Sequence, residues 1–345
     1  VPRYALLLRA SANRVFREAS FGLAAAELES FGARATGSET TVATRTAIAG
    51  VDYLVVDTDA PLDPAHRAVL ANLSSLHAVY EIEDDGRLRP EVCEPRRTLP
   101  EDLVTIQRYT GKTNEAFTHL LVNVALAANS DALDRVLRGE PVRLLDPTCG
   151  RGTTLNRAAL YGMDAFGIDI ERRDTFAYET FLTTWLQDNR IKHSVARATH
   201  RKGRPSPAHC VTVTYRPPGG DVERVVDVVH DDARCARDHH KARSIDLLVS
   251  DLPYGVQHGS RSGVDRRARG PHDLLVEALP VWRDVLRPGG AAAMSWNRRT
   301  LERPALVALL DGAGFEVLAP EDERFVHRVD RSITRDVVVA RRPVA

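Results

Sequence analysis

From about Pro141 the chain repeats one pattern: an apolar run, a glycine-containing turn, then a helical stretch. The runs are VRLLD (142–146), DAFGID (164–169), VVDVVHDD (225–232), IDLLVSD (245–251), AAAMSW (291–296) and RDVVVAR (335–341). They lack the alternation of a strand with one wet face. Continuous apolar strands separated by helices predict a parallel sheet covered on both faces. The expectation is an α/β fold, Rossmann-like and doubly wound, with a mostly parallel seven-stranded sheet. Four of the runs end in an acid, at Asp146, Asp169, Asp232 and Asp251. The carboxyl edge of such a sheet is where ligands bind.

The N-terminal part reads differently. Residues 1–85 give the order β-α-β-β-α-β, with strands at Tyr4–Leu8, Thr40–Ile48, Asp52–Val56 and Ala78–Ile82 and helices at Asn13–Phe31 and Asp63–Leu73. That order predicts a small ferredoxin-like α+β domain over 1–95. Residues 86–115, punctuated by Pro and Arg, look like a linker, a helix runs from Glu115 to about Ala128, and linker and helix fill the interval 96–135 between the two domains. The α/β domain covers 136–345. The interval between Asp169 and Asp232 is longer than one helix and two short loops require. It holds a helix near Tyr178–Gln187, the basic stretch RIKHSVARATHRKGR and a hairpin turning at PPGG, and 188–224 is expected to be a basic insertion.

Lys+Arg and Asp+Glu both total 47, so net charge draws no nucleic acid to the whole molecule, and local basic patches must do so. The four cysteines, Cys93, Cys149, Cys210 and Cys235, form no C-x-x-C pair. That suggests neither a zinc ribbon nor a disulfide framework and fits a reducing cytoplasm. His230, Asp231, Cys235, His239 and His240 cluster in sequence, but their spacing matches no zinc pattern. The apolar run YALLL is too short for a signal peptide or membrane span.

Chemistry concentrates at the strand ends. In LLDPTCGRGTTL, Gly150 and Gly152 let the backbone bend and approach a ligand, and the helix that follows points its amides there. The plain alternative is a tight βα turn. Asp169 is placed to accept both hydroxyls of a ribose, or to cap a helix. Asp232 suits the exocyclic amine of an adenine, with Asp231 an adjacent candidate. In SDLPYGVQHG, Asp251 accepts an N–H, Pro253 fixes φ and Tyr254 offers a ring face. Together they describe a clamp for an amine on a flat ring; the alternative is a turn with a buried tyrosine.

The set LLDPTCGRGTTL, GID, DDAR, DLPYG and LRPGG, in this order, resembles a class I S-adenosylmethionine-dependent methyltransferase. More narrowly it is similar to the THUMP-containing tRNA guanine-N2 methyltransferases, which share a D-P-T-C/M-G-x-G-T turn and a D-x-P-[FY]-G loop. The resemblance covers 141–345 and, more loosely, QRYTGKTNEAFTHLLVNVAL before it. Residues 1–95 would be a reduced THUMP-associated domain, shorter than a ferredoxin-like domain plus a complete THUMP domain. Leu252 stands where adenine-N6 and cytosine-N4 enzymes typically carry proline, which tilts the expected target towards guanine.

This resemblance implies S-adenosylmethionine as cofactor. Asp146 and Gly150 would hold the methionine end, with Gly152 letting the backbone pass close. Asp169 would bind the ribose and Asp232 the adenine, and Thr113 to Phe117 would cover the cofactor. Thr148, Cys149, Thr153, Ile170, Asp231 and Ala233 join them as cofactor-binding positions. Asp251, Leu252, Pro253 and Tyr254 would hold the target base, Asp251 and the Leu252 carbonyl accepting the two amine N–H bonds. The implied activity is methyl transfer to the N2 amine of guanine in RNA, with tRNA the expected substrate, in the cytoplasm, with no metal. The alternative is an N-methyltransferase acting on a small nucleoside-like or amine metabolite. Arg190, Lys192, Arg197, Arg201, Lys202 and Arg204 in the insertion, Arg261, Arg266, Arg267 and Arg269 after the Asp251 loop, and Arg298 and Arg299 after the next strand are the expected phosphate contacts.

Overall fold

Leu144 and Leu145 are adjacent in one strand, so their side chains leave on opposite faces, and both are fully buried. The same holds for Leu247 and Leu248. Both faces of this sheet are therefore covered, as the unbroken apolar runs require. The computed structural model describes residues 1–10, 14–200, 208–253 and 271–344. The chain forms two units, one of Val1–Arg96 with Asp322–Arg335, the other of Arg97–Glu321 with Asp336–Ala345.

The first unit contains β1 (Arg3–Leu8), α1 (Arg14–Phe31), α2 (Ala33–Thr36), β2 (Ala43–Ile48), β3 (Val51–Asp57), α3 (Pro64–Leu70), β4 (Leu76–Ile82) and β5 (Leu88–Glu91). Its sheet runs β2-β3-β1-β4-β5, with every pairing antiparallel. The acid Glu27 lies fully buried in α1 and is satisfied by the backbone N–H and hydroxyl of Ser74. Strand β5 falls in the stretch expected to be linker. Pro90 sits on the outermost strand, where a missing N–H costs no ladder bond. The segment Asp322–Arg335, expected within the α/β block, belongs to this unit.

The second unit contains α4 (Asp102–Thr105), α5 (Glu115–Ala127), α6 (Ser130–Arg138), β6 (Arg143–Asp146), α7 (Thr153–Leu160), β7 (Asp164–Asp169) and α8 (Arg172–Asp188). There follow β8 (His193–His200), β9 (Ala208–Tyr215), β10 (Arg224–His230), a short 3₁₀ turn (Ala233–Cys235), α9 (Ala236–His239), β11 (Ile245–Asp251) and α10 (Pro271–Val285). The last elements are β12 (Leu286–Asn297), α11 (Arg303–Gly312) and β13 (Glu316–Leu318). Next come β14 (His327–Arg328), in the first unit, and β15 (Thr334–Arg341), which runs from the first unit into the second.

The second unit's sheet runs β13-β15-β12-β11-β6-β7-β10-β9-β8. Strands β12, β11, β6, β7 and β10 are mutually parallel, while β9 and β8 add an antiparallel hairpin at one edge. With β14 paired to β15 beside this path, the sheet has ten strands among the described residues rather than the seven expected. The β9–β8 hairpin comes from the basic insertion, whose stretch His193–His200 is strand β8 and not loop. In sequence DVLRPGG reads as a helix end and a Pro-Gly-Gly turn before the strand AAAMSW, and the structure differs. Its PGG stays within β12 as a register break, Ile245 pairing with Leu286 but Leu247 with Ala291.

One core cluster gathers Leu145, Ile168, Leu248, Met294 and Trp296 against Leu275, Leu279 and Trp282 of α10. Beside it, the Arg303 guanidinium donates to Asp336 at 2.8 Å with both groups buried. Removing one partner of such a pair leaves an uncompensated charge. Arg303→Ala should cost about 3–5 kcal/mol of unfolding free energy, measured by denaturant titration.

Candidate active site

Strand order reverses at β6: β7 and β10 lie to one side, β11 and β12 to the other. Such a switch point opens a crevice at the carboxyl ends of the two central strands. Asp146 ends β6 and Asp251 ends β11, one strand away.

The turn after β6 is fixed by backbone bonds. Asp146 Oδ1 accepts the Thr148 N–H at 3.0 Å, and the Cys149 N–H donates to the Ile168 carbonyl at 3.0 Å. The Gly150 N–H donates to Asp169 Oδ2 at 2.7 Å. Gly150 and Gly152 have φ of 50° and 77°, which favour glycine. A Cβ on Gly150 would meet nothing, whereas one on Gly152 would overlap the Tyr178 ring. Thr153 opens α7 and its hydroxyl bonds that of Tyr109 at 2.8 Å. Arg151 lies over the Tyr109 ring and pairs with Asp174 at 2.8 Å.

Asp169 does not cap α8, whose N-cap is Glu171. Its second oxygen accepts the Glu171 N–H at 2.8 Å. Burial, opposed by these two N–H bonds, raises its pKa above the ordinary carboxylate value. The neighbouring Ile170 is exposed, and its carbonyl contacts His230 Nε2 at 3.1 Å. Asp146 is pushed up to about 7, first by burial and then by Asp169 and Asp251, against bonds from the Thr148 N–H and the Thr154 side chain. The charged neighbours acting on it are themselves acids. The edge is thus electronegative and suited to a cationic ligand.

At the end of β10, Asp232 is held by Arg234, whose guanidinium donates to both carboxylate oxygens at 2.8 and 2.7 Å. Asp231 bonds His239 Nε2 at 2.7 Å. The Asp231 N–H donates to the Asp169 carbonyl at 3.0 Å, which ties the ends of β7 and β10 together. Ala233 is buried, and its carbonyl accepts the Trp282 indole N–H.

Asp251 is gripped from two sides. Its Oδ2 accepts the Thr113 hydroxyl at 2.6 Å, and its Oδ1 accepts the hydroxyl of Ser295, the residue opposite it on β12. Thr148 bonds the Ser250 hydroxyl at 2.7 Å, which links the glycine turn to the end of β11. Leu252 is buried, with its N–H on the Ser295 carbonyl, and Pro253 is exposed. Tyr254 lies outside the described residues.

Two expected cover residues behave differently from each other. Thr113 meets Asp251, while Phe117 is fully buried in α5 and belongs to the core. Cys149 is buried too, and burial raises its thiol pKa well above the ordinary value, so its part in the turn is its backbone bond. Tyr109, Arg151, Ser250 and Ser295 were not singled out in the sequence. The histidines near β10 do not converge: His230 bonds Ile170, His239 bonds Asp231, and His240 packs edge-on against Phe166. Among the described residues no group of three or more His, Cys, Asp or Glu is arranged to hold a metal, and no helix is long and apolar enough to cross a membrane.

Of the basic residues, Arg190 and Lys192 are exposed, and Arg197 pairs with Glu179. Strand β8 lies four strands from β6, roughly 19 Å at about 4.8 Å per strand, so its basic residues flank the sheet edge rather than ring the crevice. Arg299 is exposed just past β12. Arg201, Lys202, Arg204, Arg261, Arg266, Arg267 and Arg269 lie outside the described residues.

No protein-family model matches the sequence. No curated protein matches it either. Solved structures similar in fold include TrmN from Thermus thermophilus, with 16% identity over 88% of this chain and 60% of that one and a TM-score of 0.38. The chain thus spans 60% of TrmN's length. Fibrillarin from Aeropyrum pernix with bound S-adenosyl-L-methionine has 16% identity over 76% of this chain and 93% of that one, with a TM-score of 0.36. An rRNA methylase from Streptococcus thermophilus has 12% identity over 59% and 87%, with a TM-score of 0.34.

Proposed function

We propose that the second unit is an S-adenosylmethionine-dependent N-methyltransferase acting on the exocyclic N2 amine of guanine in RNA, with tRNA the substrate class. The reading rests on one observation: a carboxylate fixed at the carboxyl end of β11, beside an acid-lined glycine turn at the switch point. The donor set suits this cofactor. It offers carboxylates to a ligand carrying an ammonium and a sulfonium cation, and Asp169 at the end of β7 to a ribose diol. The cofactor would be held by Asp146, Gly150 and Asp169, and it supplies an electrophilic methyl group.

The chain's own work is positioning. Asp251 accepts an amine N–H and the Leu252 carbonyl the other, which turns the nitrogen lone pair out of conjugation and towards the methyl carbon. Asp251 receives the proton or hands it to water. Arg299, exposed just past the carboxyl end of β12, offers a contact for an RNA phosphate, whereas Arg190 and Lys192 precede β8 and lie at the opposite, amino edge of the sheet.

A pH dependence follows from Asp146. With its pKa raised to about 7, Asp146 keeps its proton in the folded state below that pH. Unfolded, it loses the proton near 3.8, so stability of the unliganded protein falls as pH rises from 3.8 to about 7. A cationic ligand prefers the ionised form. Donor affinity should therefore rise about tenfold between pH ~6 and pH ~8, with proton release, as read by calorimetry in buffers of different ionisation enthalpy. Flat affinity would remove Asp146 from the cofactor site.

The proposal is tested by titrating S-adenosylmethionine and RNA separately. Micromolar donor binding together with salt-sensitive RNA retention supports it. Donor binding without RNA retention would point to a small amine substrate instead.

A further inference from the structure

We propose that Thr113 and Ser295 are positioning residues that clamp the Asp251 carboxylate in the plane needed to receive the amine, an inference that rests on the reading of Asp251 as the amine-gripping group. The two hydroxyls come from distant parts of the unit and take opposite oxygens, Thr113 on Oδ2 at 2.6 Å and Ser295 on Oδ1. Opposed donors fix the rotation of the group. The plane they set determines the direction of every other bond it makes. Hydroxyl-to-carboxylate bonds of about 2.6 Å are charge-assisted and strong.

Both donors are themselves held. Ser295 is fully buried and in register with Asp251 on the adjacent strand. Thr113 sits between two anchors. Lys112 donates to the Val104 and Gln107 carbonyls at 2.8 Å each and to Glu115 at 2.6 Å. On the other side, Asn114 caps α5 through the Ala116 and Phe117 N–H groups. The loop cannot drift without breaking these bonds.

The choice of hydroxyls also has a chemical consequence. An arginine or lysine would orient the carboxylate equally well, but its charge would repel a cationic methyl donor and neutralise the acid facing the amine. Neutral donors orient without either effect.

The test uses the full chain and the variants T113V, T113S and S295A. Valine keeps the shape of threonine without its hydroxyl. T113V and S295A should each lower kcat about 10- to 100-fold with donor KM nearly unchanged, because a displaced acceptor loses alignment rather than cofactor contacts. T113S, which keeps the hydroxyl, should restore most of the loss. A second readout does not depend on turnover. The antisymmetric carboxylate stretch of Asp251, identified in isotope-edited infrared spectra as the band missing in D251N, should shift in T113V and S295A and return in T113S. An unmoved band in both hydroxyl-deletion variants overturns the clamp, as does a kcat loss that T113S does not rescue. If the wild type methylates no RNA, shifted bands still sustain the clamp, and it is the methylation reading that fails.

Discussion

Asp251→Ala should lower methyl transfer by at least about 100-fold while leaving donor affinity nearly unchanged. The expectation follows from where the carboxylate stands. It ends β11, not the glycine turn, and its bonds run to Thr113 and Ser295. Losing it removes the amine's acceptor but none of the backbone bonds that hold the turn, which run through Thr148, Cys149 and Gly150. Single-turnover rates beside calorimetric donor titration separate the two effects. A variant that transfers methyl groups at the wild-type rate would take Asp251 out of the chemistry. A variant that loses donor binding as well would place it in the cofactor site.

Gly152→Ala should be the most damaging small substitution in the turn. Its φ of 77° costs a non-glycine residue about 1–2 kcal/mol. Its Cβ also lands on the Tyr178 ring, adding an overpacking cost of about 1–3 kcal/mol. Tyr178 cannot swing away freely, since its hydroxyl donates to Asn156 at 3.0 Å and Asn156 in turn donates to the Leu103 carbonyl at 3.3 Å. The expected loss is about 2–5 kcal/mol of unfolding free energy. Gly150→Ala is the internal comparison. It has φ of 50° and open space around the added methyl, so only the backbone cost of about 1–2 kcal/mol applies. Denaturant unfolding of both variants checks the order. Equal losses would mean that the Tyr178 contact is not what makes Gly152 necessary.

The central strands were legible because each is buried on both faces. A run such as IDLLVSD is too short for a typical helix and carries β-branched residues, which favours a buried strand, and its acid falls at the carboxyl edge by construction of the sheet. Edge strands carry no such signal. β5, LRPE, and β8, HSVARATH, lie at sheet edges and are not buried on both faces, so their mixed polar composition imitates a linker or a basic loop. The register break in β12 was hidden for a related reason: Pro-Gly-Gly marks a turn in sequence, and only the pairing with Ile245 and Leu247 reveals a strand.

The candidate site divides in the same way. Its acids stood out because a carboxylate ending an apolar strand is conspicuous. Ser295 did not, since a serine within AAAMSW looks like an ordinary tolerated polar residue. Its role appears only when β12 is set beside β11 and Ser295 falls opposite Asp251. The bond from Thr113 to Asp251 was not legible either, because it joins residues 138 apart in sequence. Arg234 likewise had to be placed in space before its hold on Asp232 could be seen.

Total RNA incubated with this protein and S-adenosylmethionine carrying a labelled methyl group, then digested to nucleosides and weighed, tests the central claim most directly. The account predicts label in N2-methylguanosine with the wild type and none with Asp251→Ala. Label on a carbon, a ribose oxygen or another base, or equal labelling by the two proteins, would contradict it.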